Sequence, residues 1–284
     1  MNLISLLIAL SAQKSLSSKV WQFSFYFDHL LDILKKLGVV SSSNKKLNNF
    51  QVCVIVLLPV IICYLLLALI DDTILYLIVS TVLLIIAFGC VKTRAAYKCF
   101  LQAANRDEPT TCELTLLQLQ EDKNLPRMPF GETMVWLNYR YYIAPMLIFV
   151  VFGATAALLY RLLITIHEMT ERDDQESYYV ADDTHSKFRS LFAVIDWPMV
   201  RLVSFAYMLV GHFSKAMPTY LESFFDFDLP AHRLLTNVAK QSEDFMVDED
   251  DCVSEPCLLV KLAKRTLMLM LSIVAVLTIT GVIN

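Results

Sequence analysis

Three stretches of the chain run without a charge for long enough to cross a bilayer: QVCVIVLLPVIICYLLLALI (51–70), TILYLIVSTVLLIIAFGCV (73–91) and TLMLMLSIVAVLTITGVI (266–283). At 1.5 Å rise per residue each reaches about 27–30 Å as a helix. A fourth run, YYIAPMLIFVVFGATAALLY (141–160), is equally uncharged. A fifth, LFAVIDWPMVRLVSFAYMLVG (191–211), is apolar apart from Asp196 and Arg201 and carries Pro198. The pattern predicts an all-α polytopic integral membrane protein with about five transmembrane or partly re-entrant helices, four if 191–211 does not span. Amphipathic and cytoplasmic helices complete it.

Between these runs the periodicity changes. Residues 1–37 read as one or two helices in the membrane interface or packed on the bundle. Within them KVWQFSFYFDHLLDILKKLGV is amphipathic and ends on Lys35 and Lys36. A cleaved leader is the alternative for MNLISLLIALSAQKS, but no basic residue precedes its apolar run. VKTRAAYKCFLQAANRDEPTTCELTLLQLQED predicts a helix to Asn105, a turn at RDEP and a second helix after Thr110. MPTYLESFFDFDLPAHRLLTNVAKQ is amphipathic, with Tyr220, Leu221, Phe224 and Phe225 on one face. SEDFMVDEDDCVSEP reads as a solvated acidic loop. The resulting organisation is 1–49 interfacial helices, 50–91 a transmembrane hairpin, 92–135 a cytoplasmic helical segment, 136–214 a membrane core with polar motifs, 215–264 amphipathic helices and acidic loop, and 265–284 a terminal transmembrane helix.

Composition agrees with the class: 56% of residues are hydrophobic and 18% charged, against about 45–50% and 25% in soluble domains. Lysine and arginine cluster before residue 51, at Lys92, Arg94, Lys98 and Arg106, and in KLAKR (261–265). The positive-inside rule puts the N-terminus, residues 92–140 and the 212–265 region on the cytoplasmic side. Two topologies satisfy that. In one, 141–160 and 191–211 both span, with the acidic 167–185 loop outside. In the other, 141–166 dips in and returns, broken near Gly153, and 191–211 is re-entrant too.

The seven cysteines set out no disulfide or metal framework, and the five histidines are dispersed. No catalytic residue or metal site is predicted, and no phosphate-cradling loop is present. What stands out is polar residues in apolar places. Asp196 and Arg201 are each costly near a helix centre. Five residues apart they lie about 140° around the helix from one another, so they are poor partners unless the helix is deformed near Pro198; either each reaches another helix, the interface or a ligand, or they are an interfacial Asp and a snorkelling Arg. Asn138 and Arg140 have two readings. Arg140 snorkels among headgroups beside an aromatic belt of Trp136, Tyr139, Tyr141 and Tyr142, or the same residues wall a polar pocket for phosphate or carboxylate.

The ordered set AANRDE, WLNYRYYIAPML, IDWPMVRL, LVGHFSKAMPTYL and KLAKRT with its apolar tail resembles the AmpE family of inner-membrane proteins over nearly the whole chain. In that family Asp-Trp is followed by one residue and then proline; here Pro198 follows Trp197 directly. The resemblance implies a bacterial inner-membrane location and a signalling role linked to cell-wall recycling and β-lactamase induction. It also implies a cytosolic muropeptide amidase as a partner. A more distant likeness, to the membrane-bound adenosylcobinamide-phosphate synthases, runs through Asn105, Arg106, Asp107, Asn138, Ala144, Pro145, Tyr160, Arg161, Asp196 and Arg201. The acidic residues those enzymes have beside the position of Asn138 are here Tyr139, Arg140 and Tyr141, which implies a retained scaffold with lost or altered catalysis. Candidate ligand-binding residues are therefore Asn105, Arg106, Asp107, Asn138, Arg140, Tyr160, Arg161, His167, Asp196 and Arg201. Three functions stay open: a regulator binding a small anionic ligand or a partner, an ATP-dependent amide-forming enzyme, and a carrier for a muropeptide-like solute. No cofactor is assigned, and no nucleic acid is expected as a partner.

Overall fold

The computed structural model describes residues 2–15, 19–38, 46–169, 179–180, 182–226, 229–243 and 254–281. Most of the predicted 167–185 and 242–256 loops, with Cys252, lies outside the described residues. The described chain is helical throughout apart from one parallel pair of two-residue strands, β1 (Lys46–Leu47) and β2 (Tyr179–Val180). It divides into two compact units, one of residues 1–91, 145–190 and 280–284, the other of residues 92–144 and 191–279.

In the first unit α1 (Asn2–Ser15) lies along α4 (Thr73–Phe88). Ser5 and Ser80 meet at 3.3 Å and the Gln13 side-chain amide donates to the Ile85 carbonyl at 3.4 Å. With 14 residues α1 is too short to span. After a turn of 3₁₀ helix, α2 (Phe23–Lys36) buries Phe23, Phe27, Leu31 and Leu34 at helical spacing. Helix α3 (Asn49–Ala68) starts at a capping box, Asn48 with Gln51, and α4 starts on Asp72, whose carboxylate accepts from the Ile74 N–H at 3.0 Å. Both pack on α9 (Ala154–Glu168). The outer side of α3 exposes Ile61, Ile62, Tyr64, Leu65 and Leu66, the composition expected of a lipid-facing surface.

The 73–91 run is shorter as a helix than as a hydrophobic stretch. It stops at Phe88, where Gly89 turns out of the helix with a ψ of 98°; a side chain on Gly89 would meet the Trp21 carbonyl at 2.5 Å, an approach that only glycine permits. Its 16 residues reach about 24 Å. A full crossing here needs α4 together with α5 (Val91–Ala104) as one broken span. Helices long and apolar enough to cross alone are 49–68, 130–152, 190–210 and 254–279, so the described chain holds four spans, or five with the α4–α5 pair.

The 141–160 run also differs from its expected bounds. The continuous helix begins at Phe130 and breaks at Gly153, whose φ of 84° suits glycine alone. Asn138 and Arg140 do not interrupt it, since neither residue breaks a helix. Within it α7 (Phe130–Asn138) passes through a π-helical turn (Tyr139–Ile143) into α8 (Ala144–Phe152). Pro145 accounts for the turn. It lacks the N–H that would bond the Tyr141 carbonyl and its ring crowds that carbonyl, so the preceding turn widens and the Ala144 N–H bonds Tyr139 instead.

The second unit is built around α7. The α5–α6 hairpin (α6, Pro109–Asp122) turns at Asp107, as the sequence predicts, and Pro109 opens α6 slightly ahead of the start expected after Thr110. Phe100 stacks on Phe130 at 3.7 Å. The remaining helices are α10 (Asp182–Val210), α11 (Phe213–Phe224), α12 (Ala231–Gln241) and α13 (Ser254–Ile279). Helix α13 runs along α7, where Gly131 leaves room for Leu259 and Pro256.

Lys240 of α12 pairs with Glu132 of α7 and, at 3.5 Å, with Glu255 of α13. Burial alone would lower the Lys240 pKa, but the two carboxylates outweigh it and hold the ammonium above its ordinary range. A raised cationic pKa contributes stability that is complete below the ordinary lysine value and is lost as pH rises through the raised one. The stability difference between wild type and Lys240→Met is therefore expected to be flat between about pH 7 and 9 and to vanish above about pH 10.5. Because the lysine is a third exposed, the plateau is expected below about 1 kcal/mol, read by thermal unfolding across pH.

Candidate functional site

The strongest site candidate lies where α7, its π turn, α10 and α12 meet. The widened turn carries Arg140, which is only 4% exposed. Its guanidinium carbon sits 5.5 Å from the ring centres of both Trp136 and Phe192. Trp136 in turn contacts Tyr139 at 5.1 Å and the edge of His232 at 6.0 Å. Among the described residues no carboxylate comes within ion-pairing distance of Arg140, and its buried Nε has no hydrogen-bond acceptor. Beside it the buried Oδ1 of Asn138 has no donor among the described residues. Aromatic faces offset part of the cost of a buried cation, by about 2 kcal/mol when desolvated, which is well short of the cost of burying the charge.

This burial separates the two readings of Arg140. A headgroup anchor keeps its guanidinium outside the protein, whereas this one is enclosed by aromatic rings. Burial also holds the His232 imidazole below its ordinary range, with the charges of Arg233 and Arg140 acting the same way and Glu132 opposing them. At neutral pH His232, on the edge of Trp136, is thus a neutral imidazole and adds no charge.

Asp196 and Arg201 take different partners, as their spacing requires. The Tyr139 hydroxyl donates to Asp196 Oδ1 at 2.7 Å, and Asp196 is 3% exposed. Arg201 reaches α11 and the turn after it: Nε donates to the Phe224 carbonyl at 2.7 Å and Nη2 to the Asp226 carbonyl at 2.9 Å. It also bonds the Trp197 carbonyl and stacks on that ring at 4.1 Å. Both side chains are buried, unlike an interfacial Asp beside a snorkelling Arg.

The other candidates fall elsewhere. Asn105, Arg106 and Asp107 occupy the exposed turn between α5 and α6, where Asp107 takes a φ of 54°. Tyr160, Arg161 and His167 belong to α9 in the first unit, with Arg161 over the Phe23 ring at 5.0 Å. A cleft of about 260 Å³ between α5 and α6, lined by residues including Lys92, Cys99, Asp122 and Lys123, includes none of the candidates. Among the described residues no three His, Cys, Asp or Glu side chains group as a metal site.

Phe192, His232 and the carbonyls of Phe224 and Asp226 went unrecognised in the sequence. A backbone carbonyl has no residue identity to read, and one phenylalanine or histidine resembles another until packing places it. Tyr139 was legible as an aromatic, but not as the donor to Asp196.

A family described as "Regulatory signalling modulator protein AmpE" matches residues 1–284 of the chain. Protein AmpE of Shigella flexneri is 27% identical over 212 residues, covering 69% of this chain and 72% of that protein. No solved structure matches. The likeness to the adenosylcobinamide-phosphate synthases gains no support from these matches. With the family match running from the first residue to the last, the chain belongs to the AmpE family.

Proposed function

We propose that this AmpE-family protein is a regulator in the bacterial inner membrane that responds to a small anionic ligand held by Arg140. The observation that carries the reading is a buried guanidinium with aromatic walls and, among the described residues, no carboxylate partner. A charge in that position is costly until an anion arrives, so ligand binding removes a penalty that folding leaves in place. Asn138, whose Oδ1 lacks a donor among the described residues, supplies an acceptor for an N–H or O–H of the same ligand. The name of its relatives fits a regulatory role. The reading extends that role to cell-wall recycling, with a muropeptide as ligand, a cytosolic muropeptide amidase as partner and β-lactamase induction as output. The N-terminus and residues 92–140 face the cytoplasm in this reading.

Arg140→Met tests it. Removing an uncompensated buried charge is expected to leave the unliganded protein as stable as wild type, or more so by about 1–4 kcal/mol. The same change abolishes stabilisation by ligand. Thermal unfolding of the detergent-purified protein is measured with muropeptides, inorganic phosphate and Mg-ATP. Ligand at a hundred times its dissociation constant is expected to add about 2.7 kcal/mol. An anion on Arg140 also cancels one charge that lowers His232, so the imidazole titration, followed by NMR, moves upward on binding. Equal ligand responses in wild type and Arg140→Met would remove the proposal. A response confined to Mg-ATP would turn it toward the amide-forming enzyme.

A further inference from the structure

Helices α10, α11 and α12 form one folded-back unit. After α10 the chain turns at Gly211–His212, and α11 comes back along α10. Tyr220 contacts Phe205 at 6.1 Å and its hydroxyl donates to the Arg201 carbonyl at 3.3 Å. Arg201 then holds the carbonyls of Phe224 and Asp226 just beyond the end of α11. Helix α12 packs on α11 and closes the loop, because the His212 N–H donates to the Ser242 carbonyl at 2.7 Å. Both ends of the α11–α12 hairpin therefore meet at one level, next to the end of a span. Its tip lies beside Arg201, ten residues or about 15 Å back along α10.

The outer side of α11 is apolar in a regular way. Phe213, Met217, Leu221 and Phe225 recur every four residues, within an arc of about 120°, and each is between 39% and 75% exposed. Leu202, Phe205 and Leu209 of the neighbouring span are exposed as well. Lys215 and Glu222 occupy the opposite edge of α11 and are also exposed. A solvated loop has no use for such a stripe. A helix pinned against a transmembrane span and apolar on its outer side fits acyl chains, with its charged edge turned to water.

We infer that α11 is a membrane-inserted re-entrant helix whose Phe213–Met217–Leu221–Phe225 stripe contacts lipid acyl chains as a continuation of the surface of α10. Because the hairpin leaves on the side where it begins, the number of spans does not change. What changes is the expectation that the whole 212–265 region is cytoplasmic: the region starts inside the leaflet. The inference is independent of the ligand at Arg140.

The test places a nitroxide at Met217, Leu221, Phe225, Lys215 or Glu222 of the full-length chain in nanodiscs. An azide-bearing amino acid takes the label, so the native cysteines stay in place, and an unchanged gel-filtration profile checks the fold. Collision with oxygen, which concentrates in lipid, is compared with collision with a water-soluble nickel chelate. The expected result is oxygen dominance at 217, 221 and 225, with the chelate several-fold more effective at 215 and 222. Chelate dominance at the stripe overturns the inference in favour of a water-facing helix. Shielding from both reagents overturns it in favour of a protein partner, including a second copy of the chain.

Discussion

Arg201→Ala is expected to destabilise the protein by about 3 kcal/mol and to free the end of α11. Two carbonyls, of Phe224 and Asp226, lose a charged donor at 2.7 and 2.9 Å. Hydrogen bonds to charged groups are each worth about 1.5–3 kcal/mol. Part of that total returns, because the alanine variant no longer buries a cation. The stacking contact with Trp197 is lost as well. Arg201→Lys separates charge from geometry: a single ammonium cannot match a fork whose Nε and Nη2 serve different carbonyls, so lysine is expected to restore less than half of the loss. Thermal unfolding in detergent measures the size, and hydrogen exchange at 220–226 locates it. Full rescue by lysine would show that the positive charge alone matters.

Gly211→Ala is expected to cost about 3 kcal/mol by a different route. A Cβ at Gly211 would stand 2.2 Å from the Ser242 carbonyl oxygen and 2.9 Å from its carbon. These are backbone atoms and cannot rotate away, so the junction where the His212 N–H meets Ser242 must open. Gly131→Ala serves as the comparison. Its nearest neighbour is the Leu259 Cδ1 at 2.7 Å, the far end of a flexible side chain, and a cost of about 1 kcal/mol is expected there. If the two alanine variants melted together, the tight approach at Gly211 would not be what closes the hairpin.

Much of the architecture was legible because it depends on neighbours along the chain. The apolar runs predict α3 closely and the membrane parts of α10 and α13, which both begin ahead of their runs, and RDEP with Pro109 predicts the α5–α6 turn. Helix ends were less legible. At the end of α4 the Trp21 carbonyl comes too close for any side chain on Gly89, and residue 21 is distant in sequence. The π turn was partly readable in Pro145, but not that the turn would seat Arg140 between Trp136 and Phe192.

The sequence by itself determined the class, the helical runs and the presence of costly charges at 140, 196 and 201, because hydropathy and helical spacing are local properties. Only the tertiary structure decided what those charges meet. Asp196 finds Tyr139 57 positions away, and Arg201 finds carbonyls 23 and 25 positions on. Arg140 meets aromatic faces and, among the described residues, no carboxylate. A partner of that kind is chosen by where helices cross, and crossing depends on side-chain packing over the whole unit, which no short window of sequence contains.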